Sequence, residues 1–295
     1  MRTVYLGTSE FAAVVLRHLA QSTHRPALVV TRPDRPRGRG RKLASPPVAV
    51  AASELGIALE QPATVNDEAA LRSIQAATPE AVCVCAYGAL ITEPLLSAYE
   101  LLNVHPSLLP RWRGAAPIER AIMAGDEQTG VSIMQLTAGL DSGPVCLQDI
   151  EPVRPDDTYG SLAARLEELG ARLLIRALDT APPCADQDES RATYAAKIGP
   201  EDRELDPSRP AVELERQVRA LTPHIGAYVV LGDGSRLGVS AASVLPEGGP
   251  PAGELSFDGA RPVLGCGDGA LALLVVQPPG GRPMSGEDYL RGRRR

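Results

Sequence analysis

Residues 81–86 read A-V-C-V-C-A. An apolar run without polar alternation describes a strand covered on both faces, the kind found inside a parallel sheet. Cys83 and Cys85 are then small core side chains. Upstream, Thr3 to Leu6 reads as a strand, followed by the Gly7-Thr8-Ser9 turn and a helix from Phe11 to Ala20. Ala27 to Thr31 reads as a strand, Pro47 to Leu55 as a helix stopped at Gly56, Ile57 to Glu60 as a short strand, and Asp67 to Ala76 as a helix. Downstream come a short helix near Pro94 to Ala98, a strand carrying Asn103 and His105, a helix from Pro117 to Ala124 and a strand from Gly130 to Leu136. Strands alternating with helices specify an α/β fold with a doubly wound, mostly parallel, Rossmann-like sheet. Gly7 is followed by Thr8, Ser9 and Glu10, so the G-x-G-x-x-G spacing is absent and no nicotinamide or flavin cofactor is expected.

Beyond the sheet, Leu162, Leu166, Leu169, Leu173 and Leu174 recur at helical spacing between Thr158 and Leu178, and this helix is expected to pack on the sheet. The stretch from Thr180 to Pro210 is polar, acidic and proline-bearing, which suits a linker. A helix from Ala211 to Ala220 follows. Short strand patterns with Gly-rich turns come next, at Ala227 to Leu231, Arg236 to Leu245, Gly253 to Ser256 and Ala270 to Gln277. They indicate a small, OB-like β-barrel. The expected organisation is a first domain over 1–180, a linker over 181–209 and a C-terminal barrel domain over 210–295.

At 295 residues the chain has room for two cores, and 44% hydrophobic with 22% charged residues is ordinary for a globular protein. No stretch approaches the roughly 20 apolar residues that span a bilayer, and no leader precedes the first strand, so a cytoplasmic protein without membrane attachment is expected. The five cysteines, at 83, 85, 146, 184 and 266, are odd in number and dispersed, and are read as reduced thiols. The four histidines lack ligand spacing with cysteines or carboxylates, so no metal is expected. A net charge of −6 argues weakly against a surface that coats nucleic acid, although local patches matter more than the total.

Residues 102–118 read L-N-V-H-P-S-L-L-P-R-W-R-G-A-A-P-I. Asn103 and His105 are separated by one residue, so on a strand they project from the same face. They lie at the C-terminal end of a parallel strand, where open α/β sheets bind ligands. A carboxamide and an imidazole there can hold a carbonyl and move a proton beside it. Asp141, in L-D-S-G, can complete the set with a carboxylate. An amide, an imidazole and a carboxylate without an evident Ser or Cys nucleophile suggest direct acyl transfer between two bound substrates. A second segment, T-R-P-D-R-P-R-G-R-G-R-K-L at 31–43, gathers Arg32, Arg35, Arg37, Arg39, Arg41 and Lys42 around one acid, Asp34. It reads either as a solvated loop or as a phosphate-binding arm, since clustered cations release counterions from nucleic acid.

N-V-H-P-S-L-L-P, then R-W-R-G-A-A-P-I, then G-V-S-I-M-Q-L-T-A-G-L-D-S-G resemble the methionyl-tRNA formyltransferase family, within the folate-dependent formyltransferases. The resemblance extends from the opening G-T-S-E-F-A to the closing Q-P-P-G-G-R-P-M-S-G. It implies a formyltransferase fold followed by a barrel that helps hold tRNA. It implies 10-formyltetrahydrofolate as donor and initiator methionyl-tRNA as acceptor; a monomer is expected, although the sequence itself does not set the oligomeric state. Its catalytic trio falls on Asn103, His105 and Asp141. Folate contacts fall on Ser107, Leu108, Leu109 and Pro110 and on Ala86, Tyr87 and Gly88. tRNA contacts fall on Arg39, with Arg37, Arg41 and Lys42 beside it. Two departures stand out: Pro106 removes a backbone N–H beside the histidine, and His224 occupies a position where the family often has Trp, which makes it structural or tRNA-facing. The rival readings are a nucleotide-sugar amine as acceptor, or a tRNA-binding module without turnover.

Overall fold

Within the apolar run at 81–86, residues Ala81–Cys85 form a strand buried at every position, and Ala86 leaves it as an exposed residue. The computed structural model describes residues 1–37 and 42–293, with Arg37 and Lys42 described in their backbone only. In chain order the elements begin β1 (Thr3–Gly7), α1 (Glu10–Gln21), β2 (Pro26–Val30), β3 (Arg35–Arg37), β4 (Lys42–Ala44), α2 (Pro47–Leu55), β5 (Ala58–Glu60), α3 (Glu68–Ala76), β6 (Ala81–Cys85), α4 (Leu95–Ala98) and β7 (Leu101–His105). Then come β8 (Arg113–Gly114), α5 (Pro117–Ala124), β9 (Gln128–Gln135), β10 (Val145–Pro152), α6 (Tyr159–Thr180) and β11 (Tyr194–Ala195). The last are α7 (Ala211–Leu221), β12 (Ala227–Val230), β13 (Arg236–Leu245), β14 (Leu255–Ser256), β15 (Val263–Gly265), β16 (Ala270–Gln277), β17 (Met284–Ser285) and α8 (Gly286–Arg293).

Packing divides the chain into two units. One contains Met1–Gly114, Gln128–Pro152 and Ala163–Tyr194; the other contains Ala115–Glu127, Val153–Leu162 and Ala195–Arg295. Residues 181–209, linker-like in sequence, thus divide between the two units.

The first unit is built on a seven-stranded sheet of order β10-β9-β7-β6-β1-β2-β5. The strands from β7 to β5 are parallel, as the alternation of strands and helices requires, while β9 pairs antiparallel with both β7 and β10. Val4, Leu6, Val82 and Val84 pack with Ile74 of α3 in one buried cluster. The helices start where the chain supplies caps: Ser9 accepts from the Ala12 N–H and Asp67 from the Ala70 N–H, while Pro47 opens α2 and Gly56 closes it with φ of 64°. On α6, Leu166, Leu169, Leu173 and Leu174 are all buried. Its Gly170 sits so close to the sheet that an added Cβ would lie 2.8 Å from Cγ1 of Val104 in β7.

Two features of this unit depart from expectation. The edge strand β10 gives no apolar signal because every one of its residues is partly or fully exposed. Cys146 and Cys184 are not free thiols; they form a disulfide beside the Val145–Ala185 bridge, where pairing of the two backbones sets the cysteines side by side. Cys83, Cys85 and Cys266 are free and buried.

The second unit is a curled antiparallel half-barrel, ordered β12-β13-β16-β15-β14 with β17 on β16. Leu214, Val218 and Leu221 of α7 close its core against Leu237, Leu271 and Leu273. Arg120 of α5 grips both oxygens of Asp202 at 2.7 and 2.9 Å. His224 stacks on Tyr159 with ring centres 3.6 Å apart, and its Nε2 lies 2.9 Å from Glu119, which is buried. These contacts match the structural reading of that histidine.

Candidate active site

Strand β7 delivers two polar side chains to its C-terminal end. Asn103 pairs with Val84 on one side and Met134 on the other, and His105 pairs with Ser132, so both backbones are fixed within the sheet. Both residues are buried, at 8% and 4% exposure. The Asn103 carboxamide makes no hydrogen bond to another of the described residues, which leaves its N–H groups free for a ligand. His105 Nε2 lies 2.9 Å from the carbonyl oxygen of Trp112. A carbonyl can only accept, so Nε2 carries the proton and Nδ1 holds the lone pair of the neutral ring. Nδ1 faces Asp141 Oδ2 at 3.7 Å, too long for a hydrogen bond but within ion-pair range. The structure therefore brings together residues 103, 105 and 141 from two separate segments.

The Asp141 turn is held from three directions. Oδ2 accepts the Gly114 N–H at 2.9 Å. Gln187 Nε2 donates to the carbonyls of Asp141 and Gly143 at 2.8 and 2.7 Å. Position 143 admits only glycine, because a Cβ there would stand 1.9 Å from the Gln135 carbonyl oxygen. Gln187 Oε1 in turn accepts from Arg113 Nε at 3.0 Å. The Arg113 side chain is buried, and both its Nη atoms donate to Glu189, at 2.8 and 2.7 Å. The guanidinium bond holds the Glu189 carboxyl below its usual range. Sequence reasoning missed Gln187, Arg113 and Thr193. They carry no periodicity, and the D-Q-D-E-S-R-A-T run that supplies two of them looks like linker.

The S-L-L-P segment is braced from within. Ser132 Oγ donates to the Ser107 carbonyl and accepts from the Leu109 N–H, while Gln148 donates to the Leu109 carbonyl. Leu108 and Pro110 are half-buried. Ala86, Tyr87 and Gly88 line a cavity of about 340 Å³ together with Thr8 and Arg32, which donate to the Tyr87 and Gly88 carbonyls at 2.7 and 3.2 Å. It lies at the carboxyl ends of β1 and β6, where the strand order reverses. The Arg32 Nε and the Tyr87 hydroxyl are buried there without a partner. Burial pushes the Tyr87 hydroxyl up, against the opposing pull of Arg32. None of the trio lines this cavity. Arg39 and Arg41 lie outside the described residues; Arg37 and Lys42 are paired by backbone in the β3–β4 hairpin. Among the described residues no cluster of His, Cys, Asp or Glu has the makings of a metal site, and no helix is long and apolar enough to cross a membrane.

Residues 1–178 match the formyl transferase family model, and 197–294 match the formyl transferase C-terminal domain. A curated methionyl-tRNA formyltransferase from Ectopseudomonas mendocina is 43% identical over 100% of this chain and 95% of its own length. The chain belongs to the methionyl-tRNA formyltransferase family. Among solved structures, the methionyl-tRNA formyltransferase of Clostridium thermocellum covers 82% of this chain and 93% of its own, with 15% identity and a TM-score of 0.58. An N-formyltransferase from Helicobacter canadensis, solved with folinic acid and dTDP-3-aminofucose, covers 92% and 99% with 13% identity and a TM-score of 0.68. These two likenesses bear on the fold. Within the methionyl-tRNA formyltransferase family, this chain joins a carboxamide, an oriented imidazole and a braced carboxylate. The set is suited to acyl transfer without a covalent enzyme intermediate.

Proposed function

We propose that Asn103, His105 and Asp141 carry out transfer of the formyl group from 10-formyltetrahydrofolate to the α-amine of initiator methionyl-tRNA. The amine attacks the formyl carbon and negative charge gathers on the formyl oxygen. The free carboxamide N–H of Asn103 donates to that oxygen; one such donor is typically worth about 2.7–4 kcal/mol in the transition state. His105 takes the proton of the attacking nitrogen at Nδ1, because Nε2 is committed to the Trp112 carbonyl. The Asp141 carboxylate, held by the Gly114 N–H, supplies the counter-charge to the imidazolium so formed. The proton then passes to the departing folate nitrogen. The observation that carries this reading is the placement of Asp141 against one ring nitrogen while a carbonyl holds the other.

The donor fits against Ala86, Tyr87 and Gly88 and the Ser107–Pro110 backbone. Tyr87 and Arg32 offer buried, unpartnered donors to a ligand as rich in acceptors as a folate. The acceptor stem is gripped by Arg37, Arg39, Arg41 and Lys42, and the enzyme acts as a cytoplasmic monomer.

Formylation of charged initiator tRNA tests the trio. Replacing His105 by Ala lowers kcat by roughly 10²–10⁴-fold, and an unchanged rate refutes the mechanism. Arg39→Ala raises KM for tRNA far more than KM for folate and shallows the salt dependence by about one unit of slope. Equal losses on both substrates count against the arm. Sedimentation of the free enzyme as a dimer removes the monomer.

A further inference from the structure

We propose that Gln187 is a positioning residue for the reaction, acting on Asp141 through its main chain. The inference rests on the reading of Asp141 as part of the catalytic trio. Asp141 has a φ of +46°, a left-handed conformation that a residue with a Cβ seldom adopts unless its surroundings hold it there. Its neighbour Leu140 is 62% exposed, so packing does little to hold the turn. Beside the Gly114 N–H on its carboxylate and the close approach of Gly143 to β9, two main-chain carbonyls of the turn are held by one carboxamide. Gln187 Nε2 spends both N–H groups on the carbonyls of residues 141 and 143, and its Oε1 is filled by Arg113.

The same segment sets the imidazole. Thr193 Oγ1 accepts the Trp112 N–H at 2.9 Å, the Thr193 carbonyl accepts the Arg113 N–H at 2.8 Å, and the Thr193 N–H donates to the Pro110 carbonyl. Trp112 then presents its carbonyl to His105 Nε2. Residues 187–193 therefore form a strap that holds the carboxylate by one end and the imidazole by the other. The Cys146–Cys184 disulfide and the Val145–Ala185 bridge tie its start to the edge strand β10. A polar segment with no catalytic group of its own sets the distance between the two reacting side chains.

The test is a double-mutant cycle on the full-length enzyme. Gln187→Met, Gln187→Glu, Asp141→Asn and the Gln187→Met/Asp141→Asn pair are assayed for formylation of charged tRNA, with folding followed by circular dichroism. Gln187→Glu keeps an oxygen for Arg113 but cannot donate to the two carbonyls. Both Gln187 variants are expected to lose about 10- to 100-fold in kcat, as sub-ångström misplacement of reacting groups does, with KM for folate and tRNA little changed. On the Asp141→Asn background Gln187→Met is expected to cost nothing further, because the group it positions is already gone. A kcat within about threefold of wild type in Gln187→Glu, or the full Gln187 loss repeated on Asp141→Asn, overturns the proposal. Wild-type kcat in Asp141→Asn alone overturns instead the reading on which it rests.

Discussion

Gly170 of α6 packs against β7, the strand that carries Asn103 and His105, and adding one methyl there has a calculable effect. An ideal Cβ would lie 2.8 Å from Val104 Cγ1 and 3.6 Å from Val131 Cγ1. Carbon contacts relax at about 3.5–4.0 Å, so the overlap with Val104 is at least ~0.7 Å. Val104 cannot swing aside. It is β-branched, 2% exposed, and its strand is hydrogen-bonded on both edges, to β6 and β9. Overpacking of this kind costs about 1–3 kcal/mol, against about 1 kcal/mol regained in helix propensity. The net loss for Gly170→Ala is therefore about 1 kcal/mol, a fall of roughly 2–4 °C in Tm for a unit of this size. Val104 separates Asn103 from His105, so any yielding of β7 displaces both, and up to about 100-fold in kcat is at stake. Thermal unfolding by circular dichroism and steady-state formylation measure the two effects. Val104→Ala, which removes the opposing methyl together with its twin, should relieve the overlap and recover kcat in the Gly170→Ala background, while the void left by the second methyl keeps Tm low. Wild-type Tm and kcat in Gly170→Ala, or no recovery of kcat in the pair, would refute the reasoning.

Three other outcomes follow from the structure. Burial, together with Glu10 and Glu168, pushes Glu167 up to about 7 from an ordinary 4.5, so the folded state binds the extra proton and stability falls as pH rises between those values. Relative to wild type, Glu167→Gln should gain in Tm across that window and level off above it, by about 1 kcal/mol once solvent screening of a half-buried carboxyl is allowed for; a difference flat with pH contradicts the assignment. Gly143→Ala places its Cβ on the Gln135 carbonyl, so the turn must leave and kcat should fall as far as in Asp141→Asn, while an active variant shows that the turn has other room. Burial pushes the Cys83 and Cys85 thiols up to about 12. A thiol reagent without reductant should therefore find no fast-reacting group in the native protein, three on denaturation and five after reduction; five before reduction disproves the disulfide.

Much of the first unit was legible because burial writes itself into sequence. The A-V-C-V-C-A run, the N-x-H pair at a strand end and the leucine spacing of α6 each report one geometric demand, and each element formed where its pattern lay. The edge strand β10 was not legible, since V-C-L-Q-D-I-E-P has every residue partly or fully exposed and no apolar period to show. Asp141 was found by its turn residues, but the partners that hold it were not. Gln187 and Thr193 act through hydrogen bonds to main-chain groups, and such bonds impose no spacing on a sequence. The basic arm was visible as composition alone, because charge needs no register.

His105 is moored to the peptide oxygen of residue 112, not to a side chain. Trp112 itself holds φ at +63°, with its indole under the Arg111 guanidinium. Position 112 is accordingly open to redesign: asparagine or glycine suits that backbone better and leaves the histidine's anchor in place. The chemistry of this enzyme can thus be separated from whatever the indole contributes, by exchanging one ring for a residue that keeps only the carbonyl.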